Sequence, residues 1–291
     1  MQIKLTSFFA AGLLVLLTVP SHAQKTKGSE FRPEVGISGS LGHIPLLVKS
    51  GGRFIQPSVA SFLMPEKSEA EFEANLQKYA DSPVKIFACN SFLPKDLKSV
   101  GPEHNQAAVL AYAEKVFQRA RKAGVEVIVF GSGGSRRIPE GFSEKEATRQ
   151  FVALGKKMGE LAKKYGVVIC LENLNSTETN MITTFEEAYR VAKAIDHPNF
   201  RLTVDIYHML KENESPRVIK KAAKYIYHCD LAEKEGRAAP GVGNEDFRPF
   251  FKALREIDYR GKIAIECRWR KMEEELPIAI QTVNTQLAEA L

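Results

Sequence analysis

The sequence predicts an α/β protein folded as a single closed (β/α)8 barrel. Eight short β-rich runs alternate with helix-length amphipathic segments, which implies parallel strands joined by helical crossovers. The count of eight and the span of residues 31–291 suit one barrel domain. No early Gly-rich turn of the dinucleotide-binding type is present, as an open doubly wound sheet would favour.

Residues 1–23 read as a secretory signal rather than as part of the fold. A positive start (MQIK) precedes an apolar segment too short and poorly flanked for a membrane span, and Ser-His-Ala before Gln24 resembles a small-residue cleavage site. The expected location is therefore periplasmic or secreted, with residues 24–30 as a polar lead-in and no membrane association after cleavage. The eight strands are expected near 34–38, 54–59, 84–89, 125–130, 167–172, 201–205, 224–229 and 262–267. Between them, the segments 105–124 and 143–166 repeat apolar residues at three and four and end on Gly124 and Gly166, which predicts helices with glycine stops. A last helix is expected to begin at Pro277.

The chain holds 41 Lys and Arg against 35 Asp and Glu, a formal net charge of +6, with no block of five like charges. Such scatter describes a solvated surface and argues against a nucleic-acid partner, whose footprint would be clustered. Cys89, Cys170, Cys229 and Cys267 all lie in strand-like apolar runs, where free thiols pack as small hydrophobes. A Cys229–Cys267 bridge is the one disulfide the export reading leaves open.

Four strands end on, or reach, a metal-ligating type of residue: Glu172, Asp205, His228 and Glu266. Strands five to eight are neighbours around a barrel, and catalytic groups sit at the C-terminal strand ends. Period-two alternation puts Glu172 on one face with Cys170 and Val168, Asp205 with Thr203, His228 with Ile226, and Glu266 with Ala264. Three carboxylates and an imidazole converging on one point repel one another unless a cation lies among them. Oxygen-rich ligands with one His favour Mn2+ first, with Mg2+, Co2+ or Zn2+ as alternatives.

The stretches VVICLEN, LTVDIYHM, YIYHCDLAE, RAAPGVG and IAIECRW resemble the sugar isomerase/epimerase group with a xylose-isomerase-like TIM barrel, including ketose 3-epimerases and hydroxypyruvate isomerases. The resemblance implies that Glu172, Asp205, His228 and Glu266 bind one divalent ion. It also implies that His208, Glu178 and Arg237 contact the substrate. One departure stands out: the interval from His228 to Arg237 is longer than the epimerases lead one to expect.

An ion with two open positions can chelate neighbouring oxygens of a carbonyl sugar and acidify the adjoining C–H. Glu172 and Glu266, at opposite ends of the ligand set, are the natural catalytic base and acid. Returning the proton to the other face epimerises the carbon, returning it to the neighbouring carbon isomerises the sugar, and expulsion of a leaving group gives β-elimination. His208 has a bland alternative as a helix cap and Glu178 as a solvated loop acid. Trp269 is placed to stack on a sugar or to pack the last loop, and His43 to line the rim. The loop 131–137 (GSGGSRR) reads equally as a ligand cradle or a plain turn.

The expected function is a metal-dependent epimerase or isomerase of a non-phosphorylated carbohydrate, since sugar phosphates belong to the cytosol. β-Elimination on 3-keto-glycosides and a non-catalytic carbohydrate-binding barrel are the alternatives. An abasic-site endonuclease on this barrel is disfavoured, because it needs further His and Asp ligands where this chain has Ser58, Val59 and Asn90. Oligomeric state is not legible, and a homo-oligomer stays compatible with the reading.

Overall fold

The computed structural model describes residues 31–290; the expected signal and polar lead-in lie outside the described residues. In chain order the elements are β1 (Val35–Ser38), α1 (Ile44–Lys49), β2 (Phe54–Gln56), α2 (Val59–Phe62), α3 (Glu69–Gln77), β3 (Lys85–Ile86) and β4 (Ala88–Cys89). There follow α4 (Gln106–Ala123), β5 (Val127–Phe130), α5 (Gly133–Arg136), α6 (Glu144–Tyr165), β6 (Val168–Glu172), α7 (Phe185–Ile195), β7 (Phe200–Asp205) and α8 (Ile206–Lys211). The last are α9 (Arg217–Lys221), β8 (Ile226–Leu231), α10 (Arg248–Glu256), β9 (Ile263–Ile265) and α11 (Met272–Glu289).

All strand pairs are parallel, in the order β3-β2-β1-β9-β8-β7-β6-β5-β4. The two ends of that order, β3 and β4, are halves of one barrel strand separated by Phe87. Phe87 closes the ring, since its N–H donates to the Ile55 carbonyl and its own carbonyl accepts from Glu126 and Val127. Nine assigned segments therefore make the eight barrel strands expected. No helix among the described residues is long and apolar enough to cross a membrane.

The long helices form where the sequence marks their ends. Asn105 accepts from the Ala108 N–H at 3.0 Å and Ser143 from the Glu146 N–H at 3.3 Å, while Gly124 (φ 71°) and Gly166 (φ 69°) take the left-handed stop. Their apolar stripes pack on the outside of the barrel. Phe130 of β5 meets Phe92 at 5.3 Å and Phe151 of α6 at 5.4 Å, all three buried. Each such side chain contributes about 2–3 kcal/mol by leaving water. A separate cluster fills the lower lumen: Phe54, Phe87, Ala88, Val127, Val129, Cys170 and Ala264. Gly36 of β1 gives the Phe54 ring its room, because a Cβ there would stand 2.6 Å from it.

Three local expectations are corrected. β2 stops at Gln56 because Pro57 has no N–H for the ladder, and Ser58 then caps α2. α11 begins at Met272, its first turn carrying Glu273, Glu274 and Glu275 against the helix dipole, and Pro277 lies inside it. β8 runs to Leu231 and contains a bulge: Leu202 pairs with Ile226 but Thr203 with His228. Tyr227 is the extra residue, so Ile226 packs with the outer core while His228 faces inward; the two do not share a face. The free-thiol reading of the cysteines holds: Cys89, Cys170, Cys229 and Cys267 are all unpaired, with no Cys229–Cys267 bridge, and burial pushes all four thiols up.

Candidate metal and catalytic site

At the C-terminal mouth, β6 delivers Glu172, β7 Asp205 and β8 Asp230, and Glu266 follows β9. One oxygen of each of these four carboxylates lies within 4.8 Å of the others. Asp205 and Asp230 are direct cross-strand partners, a juxtaposition of like charges that costs stability by itself. Glu172 is held well above the ordinary carboxylate range by burial, then by Glu266, Asp205 and Asp230. Burial also pushes Asp205 up to about 7, with Arg237 opposing and Asp230 adding repulsion. Glu266 rises to about 7 for the same reasons in the same order.

His228, expected as the ligand from the seventh barrel strand, lies outside this group. It sits one layer lower, its ring 5.9 Å from Phe87 and 6.4 Å from Phe54, with Nε2 at 2.8 Å from Gln56 Oε1. Asp230, two residues on and on the same inward face, reaches the cluster instead. Counted from Asp230 rather than His228, the interval to Arg237 is two residues shorter.

The neighbouring side chains are fixed by hydrogen bonds that leave the inward atoms free. Asp205 Oδ1 caps α8 by accepting from the His208 N–H at 2.9 Å; the cap is Asp205, and His208 is the capped residue. Asn173 ties β6 to β7, accepting from the Asp205 N–H at 3.2 Å. Asn175 Oδ1 is occupied by the N–H and hydroxyl of Thr177, so its Nδ2 must face His208 Nδ1 at 2.8 Å. That makes Nδ1 the acceptor and puts the His208 proton on Nε2. Burial lowers the His208 pKa to about 3, so the ring is neutral. Nε2 lies 3.7 Å from Glu172 Oε1 and 3.8 Å from Asp205 Oδ2.

Glu266 Oε2 pairs with Arg237 Nη2 at 2.6 Å, and Oε1 accepts from Asn90 at 2.6 Å and Ser38 at 3.4 Å. Arg237 Nη1 lies 3.5 Å from Glu178 Oε1, and its guanidinium covers the Tyr207 ring at 4.7 Å. Glu178 is exposed at the rim yet paired, rather than simply solvated. Arg237 holds a left-handed φ of 53° in a loop organised by the buried Glu233, whose carboxylate accepts the N–H groups of Gly241, Gly243 and Glu245.

The remaining expectations divide. Trp269 packs against the outer core, with Nε1 buried and unpartnered, and His43 is half-buried in the turn after β1 with Nδ1 likewise unpartnered. Neither belongs to the carboxylate group. The 131–137 loop is a structural turn: a Cβ on Gly131 would stand 2.2 Å from Glu172 Oε2, so glycine makes room for the carboxylate. Fully buried Arg136 donates to the carbonyls of Phe130, Glu172, Met181 and Ile182, fixing the end of β6. Asp230, Asn90, Ser38, Gln56 and Arg136 were not singled out by sequence. The signal for Asp230 was its place two residues after His228; the others carry no pattern beyond a polar residue at a strand end or in a turn.

The residues fit a divalent cation. Asp205 Oδ2, Asp230 Oδ2 and His208 Nε2 are all buried without a hydrogen-bond partner, an expensive arrangement unless something else occupies the centre they surround. A closed barrel with such a cluster at its C-terminal mouth has the build of a barrel enzyme. The chain belongs to the xylose isomerase-like TIM barrel family, whose profile matches residues 44–286.

Among relatives, an L-ribulose 3-epimerase of Methylomonas sp. (strain DH-1) is 34% identical over 127 residues, covering 43% of this chain and 44% of that protein. A 3-dehydro-D-guloside 4-epimerase of Escherichia coli (strain K12) is 30% identical over 112 residues, 38% of this chain and 42% of that protein. The chain thus matches less than half the length of these curated relatives. A solved structure of L-ribulose 3-epimerase superposes with a TM-score of 0.72 at 19% identity, covering 89% of this chain and 96% of that one, which shows the shared fold.

Proposed function

We propose that this protein is an epimerase or isomerase of a non-phosphorylated sugar or keto-sugar, working at a site that holds one divalent ion. The observation that carries the reading is the pairing of Glu172 and Glu266 across a single centre, each with an oxygen within 4.8 Å of the same carboxylate group. Glu172, Asp205, Asp230 and Glu266 would hold the ion. When bound, it supplies a Lewis acid that draws electron density from adjacent sugar oxygens and acidifies the neighbouring C–H.

The chain's own residues divide the remaining work. One glutamate takes the proton from carbon and the other delivers a proton to the opposite face or to the next carbon. Neutral His208 donates its Nε2–H to a sugar oxygen. Arg237, anchored to Glu266 and braced by Tyr207 and Glu178, orients the oxygen beside the reacting carbon. The similarity to an L-ribulose 3-epimerase supports inversion at a carbon next to a ketone. The export reading of residues 1–23 supports an extracytoplasmic, unphosphorylated substrate.

A keto-glycoside is the second substrate reading, and one feature favours it. Beside Glu266 opens a groove of about 410 Å³ lined by Ser38, Ser40, Ser58, Ser61 and Asn90, roomy and neutral enough for a sugar substituent beyond the reacting ring. The similarity to a 3-dehydro-D-guloside 4-epimerase supports it as well. With a leaving group on the β-carbon the same proton abstraction ends in elimination. Incubating Mn2+-loaded protein in D2O with ketoses and 3-keto-glycosides tests both readings. Solvent deuterium at the carbon next to the carbonyl is the expected result, and its absence from every substrate rejects the enzyme reading in favour of a binding barrel.

A further inference from the structure

Two donor sets converge at this mouth, Glu172 with Asp205 and His208, and Glu172 with Asp205, Asp230 and Glu266, and the hydrogen bonds around the histidines decide between them. Asp230 occupies the strand-end position where a histidine was expected, and two histidines nearby both turn an N–H, not a lone pair, to the carboxylates. His228 Nε2 lies 2.8 Å from Gln56 Oε1, an acceptor, and 3.2 Å from Asp230 Oδ1, another acceptor, so that nitrogen carries the proton. His208 carries its proton on Nε2 because Asn175 Nδ2 donates to Nδ1. Releasing either ring for coordination through Nε2 breaks a buried hydrogen bond, to Gln56 Oε1 for His228 and from Asn175 Nδ2 for His208.

Asp230 is held as a ligand should be. Gln56 Nε2 donates to Oδ1 at 3.2 Å and His228 Nε2 approaches the same oxygen, so both supports act on one side of the carboxylate. Oδ2 is left fully buried, unpartnered and turned to the cluster, beside the equally unpartnered Asp205 Oδ2. Gln56 is itself immobilised between His228 and Asp230 at the end of β2. Outer groups of this kind set ligand orientation, and their loss lowers metal affinity about 10–100-fold.

We infer that the centre is an oxygen-only site: Glu172, Asp205, Asp230 and Glu266 are the donors, Gln56 and His228 position Asp230, and His208 remains a hydrogen-bond donor to substrate. Carboxylate-only ligation suits Mn2+ and Mg2+, whereas imidazole draws a site towards Zn2+. This rests on the reading above that the site holds a divalent ion.

The test is spectroscopic and thermodynamic, on the unmodified protein first. Pulsed electron paramagnetic resonance of the Mn2+-loaded chain is expected to show no coupling to a directly bound imidazole nitrogen. Calorimetric titration with Mn2+ and Zn2+ should give Asp230→Asn a loss of Mn2+ affinity of about a hundredfold or more and Gln56→Ala a loss of about tenfold. His208→Gln should stay within about threefold of the parent, and Asp230→His should shift preference towards Zn2+ by about tenfold. A nitrogen coupling, or Mn2+ affinity indifferent to Asp230→Asn, overturns the inference while leaving the enzyme reading standing. Failure of the parent to bind any divalent ion rejects the reading on which it rests, and the inference with it. Should Asp230→Asn not fold, the nitrogen coupling in the parent still decides.

Discussion

The lower and upper halves of the barrel lumen are built from the same strands and do opposite things. Below, Phe54, Phe87, Val127, Val129, Cys170 and Ala264 interlock as an apolar plug. Two residues further along the same strands, Glu172 follows Cys170 and Glu266 follows Ala264 on the shared inward face. There the buried polar atoms are left without partners. His228 and Gln56 form the floor between the halves, resting on the aromatic rings and propping Asp230 from beneath. Stability is concentrated in one layer and unmet electrostatic demand in the next, so each can be perturbed with little damage to the other.

Four substitutions or conditions test that separation, in falling order of effect. Glu266→Gln should cut solvent-deuterium exchange into substrate about a thousandfold, the usual range for a positioned acid or base, while the melting temperature of the ion-free protein does not fall. A parallel loss of stability would show that the upper layer also supports the fold. Phe87→Ala should cost about 3–5 kcal/mol in urea unfolding, yet the folded fraction should bind Mn2+ with near-parental affinity. Gly131→Ala forces a methyl into the place of Glu172 Oε2, and should weaken Mn2+ binding about tenfold for about 1–3 kcal/mol of stability.

The smallest effect is one of pH. Asp205 and Glu266 have folded values of about 7 against ordinary values of 3.8 and 4.5, so the ion-free fold favours their protonated forms. Their contribution is therefore complete below about pH 4 and is lost as pH climbs through about 7. Calorimetric melting in chelator should fall across that window, and saturating Mn2+ should flatten or reverse the slope. Melting in chelator that rises steadily across the window would contradict the crowding of charge described here.

Much of this was legible in the sequence because each barrel strand is short, apolar and punctuated. Asn105, Gly124, Ser143 and Gly166 marked the long helices by their capping chemistry. Glu172, Asp205 and Glu266 declared themselves as acids ending apolar runs. Asp230 did not, because the apolar run reads as finished at Cys229 while the strand continues to Leu231, so the inward count was stopped at His228. Gln56, Asn90 and Arg136 act mainly through distant contacts, such as Gln56 with Asp230, Asn90 with Glu266 and Arg136 with the Glu172 carbonyl. No local pattern encodes such partners.

Glu233 draws the peptide groups of Gly241, Gly243 and Glu245 onto one buried carboxylate and so ties down the segment that carries Arg237. The conformational entropy of that segment is lost during folding rather than when a sugar arrives. A ligand entering this mouth meets its guanidinium already in position, and association need not wait for a loop to settle.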